Sequence, residues 1–486
     1  MEFYLFLSIS TGLIGAGAVV LWLRTRSVSF PLGLAFLYFW SLHGAWAIVL
    51  DNLGGESGMH YAYLEAKTFA VRLDAHYLWA LFYYSAFVLT VEAVLLLAVH
   101  GRGARRPVEP VRFSHGVVLL LGTASALASV FLIRESLLTA AASNQAAYQV
   151  SRFSDSPFFT LHQVLNRVAL LPAALGLVVL LSGSRPGFLA ARRGRLHLAG
   201  YVLLLGGGFA LCLVLGNKNG LFLAIVAALL FYLANSERPR LGRLAVAGVL
   251  GLSCVMLVER FRGVPLPLMA LALQEFDLLE LLDVLGAGFS SNEAFGAHIS
   301  MYGALSYGLR PTFGSSLVSL AASIVPRSFW PGRPEDIYVY YAHETGLLEG
   351  QGYSIHHATA WYLNFGGPGV VLGAAILGLL WAVCWNGSLD PRAARRTWSY
   401  VLRVVAPCTF VAYLPAILRA GPEVYKGLVL EAFFIPTAVL ALAAGAVSQG
   451  GARPDGSEGE AEPRQDFDSQ ANVATPMERG TANLLA

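Results

Sequence analysis

Twelve basic residues stand in or beside one alternating set of the segments between the chain's apolar runs: Lys67, Arg72, Arg134, Arg152, Lys218, Arg260, Arg262, Arg310, Arg327, Arg333, Arg419 and Lys426. Several sit where an apolar run ends. Lys218 lies within Gly216-Asn217-Lys218-Asn219-Gly220, Arg260 and Arg262 follow residues 244–259, and Arg419 follows residues 398–418. A charge at such a boundary costs several kcal/mol unless a partner or ligand compensates it. The guanidinium fork matches phosphate oxygens two at a time. A ring of these groups therefore suits a phosphate or pyrophosphate carried on a lipid. Taken singly, each reads as a snorkelling or salt-bridged anchor. Basic residues from four separate segments favour an anionic site.

His356 and His357 precede Tyr362-Leu363-Asn364-Phe365-Gly366-Gly367-Pro368-Gly369, where a helix re-enters the apolar run. A histidine there can take a proton from a hydroxyl near neutral pH, although a lone histidine also serves as a packing residue. Nothing in the same segments has metal-ligand spacing. Glu275, Asp277, Glu280 and Asp283 recur at helical spacing, as on the wet face of an amphipathic helix. Cys212, Cys254, Cys384 and Cys408 all lie inside apolar runs and read as small buried apolar residues. Asp466-Phe467-Asp468 has the form of a nucleotide-sugar metal motif, but it sits in a polar tail and reads as incidental. No metal and no cofactor is expected.

The elements that must position these residues follow from composition. Of 486 residues, 56% are hydrophobic and 13% charged, with mean hydropathy +0.60. A soluble domain carries roughly 25% charged residues, so the bilayer takes the place of a large soluble core. The net charge of +3 is too small to point to nucleic acid. A membrane-crossing helix needs about 20 apolar residues. That rule gives spans near 3–23, 29–50, 75–99, 114–133, 159–182, 197–216, 220–234, 244–259, 362–384, 398–418 and 427–447, the seventh and eighth being short. The fold class is an all-α integral membrane protein with about eleven transmembrane helices. Arg24 and Arg26 follow the first run instead of preceding it, so that run reads as a retained helix and not a cleaved signal.

Five short loops hold sixteen arginines: residues 24 and 26; 102, 105, 106 and 112; 185, 192, 193 and 195; 238, 240 and 243; 392, 395 and 396. The positive-inside rule puts this set in the cytoplasm. The N-terminus is then outside and the C-terminus inside. Residues 1–447 form the membrane domain, with an outside loop at 260–361 whose apolar stretches Val264–Leu273, Leu278–Phe289 and Leu317–Val325 suit interfacial or re-entrant helices. Residues 448–486 read as a disordered cytoplasmic tail.

Gly350-Gln351-Gly352-Tyr353-Ser354, then His356-His357, then Tyr362-Leu363-Asn364-Phe365-Gly366 and Gly369 resemble the signature region of bacterial O-antigen polymerases of the Wzy type. The related O-antigen ligases share its outline. Ile324-Val325-Pro326-Arg327-Ser328-Phe329-Trp330-Pro331-Gly332-Arg333-Pro334 resembles a stretch of the large periplasmic loop in such polymerases. Leu215 to Gly220 is similar to their helix turn, with Lys218 where an arginine usually stands. Ala360 replaces an acid often found four residues before the Asn, and Ala358 follows His357 where the ligases carry Asn.

The resemblance implies a GT-C-like membrane glycosyltransferase of the inner membrane, acting at the periplasmic face without a metal. Its donor would be a glycan on undecaprenyl pyrophosphate and its acceptor a sugar hydroxyl of a second lipid-linked repeat unit. Lys218, Arg260, Arg262, Arg327, Arg333 and Arg419 would stabilise the leaving pyrophosphate. His357, or secondly His356, would be the base. Trp330, Tyr338, Tyr340, Tyr341 and Trp361 would stack on sugars or anchor at the interface. A chain-length regulator is a further partner the family allows. The alternatives are a ligase that transfers glycan to a lipid A core, and a transporter or flippase of lipid-linked sugars. No internal repeat of the transporter kind is visible.

Overall fold

The computed structural model describes residues 2–53, 71–101, 114–153, 159–183, 192–235, 241–277, 279–283, 286, 293–323, 325, 330, 332, 334–347, 354–388 and 397–450. Among them the regular structure is helical and no strand occurs. The chain is an all-α, multi-pass membrane protein. In chain order the helices are α1 (Glu2–Thr25), α2 (Ser29–Tyr38), a π-helical turn (Phe39–His43), α3 (Gly44–Leu53), α4 (Ala75–Ala98), α5 (His115–Leu132), α6 (Arg134–Ser143) and α7 (Ala147–Phe153). Then come α8 (Phe159–Gly183), α9 (Arg192–Leu215), α10 (Asn219–Asn235), α11 (Leu241–Phe261), α12 (Met269–Glu275), α13 (Glu293–Ser306), α14 (Ser315–Ala322) and α15 (Ile337–Glu344). The last described helices are α16 (His357–Gly387), α17 (Thr397–Leu418), α18 (Val424–Gly427), a second π-helical stretch (Leu428–Phe434) and α19 (Ile435–Gly450); the expected tail lies outside the described residues from 451 on.

Among the described residues ten stretches are long and apolar enough to cross a membrane, and they coincide with ten of the eleven expected runs. The eighth run, short in sequence, is full-length as Leu244–Phe261. The seventh stays short. At 1.5 Å per residue the 17 residues of α10 reach about 25 Å, a little under the ~30 Å hydrocarbon core. It still carries the chain across the bundle, because Lys218 before it and Glu259 at the end of α11 pair at 2.7 Å.

The helix ends gather in two sets. At one end Arg24 donates to the Leu96 carbonyl (2.6 Å), the His100 N–H to Asn386 (2.9 Å) and the Ser114 N–H to the Ala443 carbonyl (2.8 Å). At the other, the Tyr302 hydroxyl donates to Asp74, Lys426 donates to the Ser323 carbonyl, and Lys218 and Arg419 both reach Glu293. This is the alternation that the loop charges require. Inside the bundle α16 packs along α4, and α17 runs between α2, α10 and α16. Phe30 stacks on Trp381 at 5.3 Å and meets Trp385 edge-on.

Between α11 and α16, the expected Val264–Leu273 stretch is a short 3-10 turn leading into α12, and Leu317–Val325 begins within α14. Half of Leu278–Phe289 falls outside the described residues. The most enclosed helix there is one the apolar pattern did not mark. Every residue of α13 from Ala294 to Ala304 is buried, although Glu293, His298 and Ser300 interrupt its hydropathy.

Candidate functional site

Three cations from three distant parts of the chain meet one carboxylate. Gly216, at φ +59°, turns the chain between α9 and α10 and leaves Lys218 facing α11. A Cβ there would come within 2.5 Å of the Arg262 Cγ, so only glycine allows the two segments this close. Lys218 pairs with Glu259 at 2.7 Å and with Glu293 at 3.7 Å. Arg262, just past α11, lies 3.7 Å from both carboxylates. Its guanidinium covers the Tyr148 ring at 3.8 Å and bonds the Tyr148 hydroxyl. Arg419, at the end of α17, reaches Glu293 at 2.5 Å.

Glu293 opens α13 with its side chain 16% exposed. Burial alone would push its carboxyl up; Arg419, Lys218 and Arg262 outweigh that and hold it down at about 2. The cluster sets three cations against two carboxylates. Behind it, Arg167 of α8 pairs with Glu431 of the second π-helical stretch, and the Arg167 stem packs against Gly220 in the first turn of α10.

Of the six expected anion-binding residues, the structure therefore brings Lys218, Arg262 and Arg419 together. Arg260 points elsewhere. It is 53% exposed and pairs with Glu280 at 2.6 Å. Arg327 and Arg333 lie outside the described residues. Trp330 is exposed, Tyr338 is half-buried, and the Tyr340 hydroxyl donates to the Arg310 carbonyl at 3.0 Å. Trp361 is a correction. It is buried, and its indole N–H donates to His357 at 3.0 Å, so its face is not open to a sugar.

The histidines also differ from expectation. His357 is fully buried at the start of α16. A carbonyl only accepts, so Nδ1 carries the proton and donates to Ala420 O at 2.8 Å. Nε2 then accepts from Trp361 and from the Tyr425 hydroxyl at 2.9 Å. His356 caps α16 by accepting the Ala358 N–H at its Nδ1 (3.1 Å), and Nε2 is left to donate to Ser41. Neither ring presents an unengaged lone pair to a substrate hydroxyl, and both have the bonding of packing residues.

Around them lies a polar layer that sequence reading missed. His298 donates to the Ser41 carbonyl (2.7 Å) and meets the Tyr77 hydroxyl (2.9 Å). Burial holds His298 down at about 4. The Tyr84 hydroxyl donates to the His298 carbonyl at 2.6 Å, and Ser300 to Thr359 at 2.9 Å.

The Asn-Phe-Gly sequence breaks α16. Phe365 leaves helical geometry and Gly366 takes φ 67°, ψ −154°, a conformation essentially restricted to glycine. The freed Leu363 carbonyl accepts from the Thr312 N–H at 2.7 Å, and Asn364 clasps Ser316 through both its amide atoms. The motif thus ties the loop before α14 to the membrane end of α16.

Glu293 and Glu259 are the site residues missed from sequence. The signal available was indirect: cations at a membrane boundary need countercharge, and few carboxylates in this part of the chain stand beside apolar sequence. No group of histidines, cysteines and carboxylates that could hold a metal ion occurs among the described residues. No protein-family model matches the chain, and no curated protein or solved structure matches it.

Proposed function

We propose that the protein is an oligosaccharide repeat-unit polymerase, an integral-membrane glycosyltransferase that acts on glycans linked to polyprenyl pyrophosphate. The single observation that carries this reading is the convergence of Lys218, Arg262 and Arg419 at one end of the bundle. In the reaction, the bond between the anomeric carbon and the pyrophosphate oxygen breaks while the acceptor oxygen bonds to that carbon. The acceptor's proton is released, and one further negative charge develops on the leaving pyrophosphate, which already carries the charges of its two phosphoryl groups. Preorganised cations in a partly desolvated site stabilise that charge. A lipid-linked donor reaches such a site directly from the bilayer, which fits its position at helix ends.

The arginine-rich loops support an orientation with those loops in the cytoplasm of a bacterial inner membrane and the cation cluster on the opposite face. Reporter fusions at residues 300 and 460 test it. A cytoplasmic signal at 300 would overturn both orientation and site. The function itself is tested by extracting lipid-linked glycans from a strain lacking the protein. Single repeat units on the surface support a polymerase. Full-length chains stranded on carrier lipid would instead make the protein a ligase.

A further inference from the structure

We propose that Glu293 is an internal counter-anion: it occupies the place of a substrate phosphate on Arg419 and must be displaced before that phosphate can bind. The inference rests on the anionic-site reading above and adds a gate to it.

The geometry carries the argument. Glu293 holds Arg419 at 2.5 Å and stands 3.7 Å from both Lys218 and Arg262. Anchoring α13 would need one partner, and this carboxylate is shared by three, each from a different segment. It is also the first residue of its helix, with the uninterrupted buried run beginning only at Ala294. Its side chain can therefore swing away while α13 stays packed. Glu259, by contrast, pairs with Lys218 and Arg262, and not with Arg419, among the described residues.

Other roles fit less well. A carboxyl held at about 2 is a poor acceptor for a hydroxyl proton near neutral pH. Metal ligation would need further carboxylates or imidazoles close by, and no such group occurs among the described residues. A phosphate dianion entering the cluster meets the same three cations that Glu293 meets, and it cannot take Arg419 while the carboxylate remains there. When only a fraction of molecules has the site open, apparent affinity falls by that fraction. A site closed about nine-tenths of the time thus binds about tenfold more weakly than its open form.

The test uses the full-length chain in phosphatidylcholine nanodiscs, titrated with inorganic pyrophosphate and with farnesyl pyrophosphate. Glu293→Gln removes the competing charge while keeping the shape. It should bind both probes about tenfold or more tightly than wild type, and pyrophosphate should raise its melting temperature more than that of wild type. Arg419→Ala should abolish the gain. Equal or weaker binding by a folded Glu293→Gln would overturn the proposal.

Should that variant fail to fold, Glu293→Asp, one methylene short of Arg419, should shift affinity in the same direction, and unchanged affinity would again overturn it. In phosphatidylglycerol nanodiscs, stabilisation of Glu293→Gln without added pyrophosphate would assign the displacing group to a lipid headgroup and overturn the substrate-linked gate. The two readings fail separately. If the chain supports polymer formation and Glu293→Gln leaves affinity unchanged, only the gate falls. If Glu293→Gln tightens pyrophosphate binding and the deletion strain still polymerises, the gate stands and the polymerase reading falls.

Discussion

His356 and Ser41 meet at 3.0 Å across 315 residues of chain, with the imidazole N–H donating to the hydroxyl. The same serine's carbonyl takes the N–H of His298 at 2.7 Å. Ser41 lies in the π-helical turn between α2 and α3, so that turn bridges the loop helix α13 and the start of α16. Ser41→Ala removes one acceptor and leaves the buried His356 N–H unpaired. The expected cost is about 1–3 kcal/mol of stability, seen as a lower melting temperature of the purified protein. Activity per folded molecule should hold, and a normal melting temperature would show that the bridge contributes nothing.

His357 bonds three groups, so its removal should act on folding first. His357→Ala orphans the Trp361 N–H, the Tyr425 hydroxyl and the Ala420 carbonyl. Each buried unpaired group costs about 1–3 kcal/mol. Immunoblots of membranes should show a large loss of protein, in proportion to any loss of glycan polymer. Normal abundance with a rate lowered about 10²–10⁴-fold would restore the catalytic base instead.

The arginines should divide by partner. Arg419→Lys and Arg262→Lys exchange a planar fork for a point charge and should each lower polymerisation about 10²–10³-fold at normal protein level. Arg260→Lys, whose side chain pairs outward with Glu280, should leave polymer length unchanged. Equal sensitivity at all three positions would show that Arg260 is not set apart from Arg262 and Arg419.

The Glu293 carboxyl predicts a pH signature. Its folded value, about 2, lies below the ordinary 4.5. Stability from its charged form is therefore fully present above about pH 4.5 and is lost as pH falls towards 2. The difference in melting temperature between wild type and Glu293→Gln should stay flat from about pH 5 to 8 and shrink below about pH 4. A difference that changes sharply near pH 7 would show that Glu293 is not held by these cations.

Much of the frame was legible from sequence because its causes are local. An apolar run of about 20 residues forms a crossing helix wherever it occurs, and the ten long candidate spans match their runs to within a few residues. The break in α16 is not legible in the sequence, where the span 362–384 runs unbroken: Phe365 and Gly366 leave helical geometry, and the freed Leu363 carbonyl is satisfied by Thr312, 51 residues away. What stayed hidden depends on partners far apart in the chain. His298 and Glu293 sit in a helix whose polar residues masked its burial.

Arg260 and Arg262 show where the boundary falls. Arg260 lies in the last turn of α11 and Arg262 just past its end, where the backbone leaves the helix, and their side chains take opposite partners: Glu280 for Arg260, and Glu259 and Glu293 for Arg262. Sequence determined that α11 would end in basic residues at a membrane boundary. Only the packing of α9, α10, α13 and α17 decided that Arg262, and not Arg260, turns inward to share Glu293 with Lys218 and Arg419. How the chain leaves a helix end is fixed by contacts with segments far away in sequence, which no local pattern encodes.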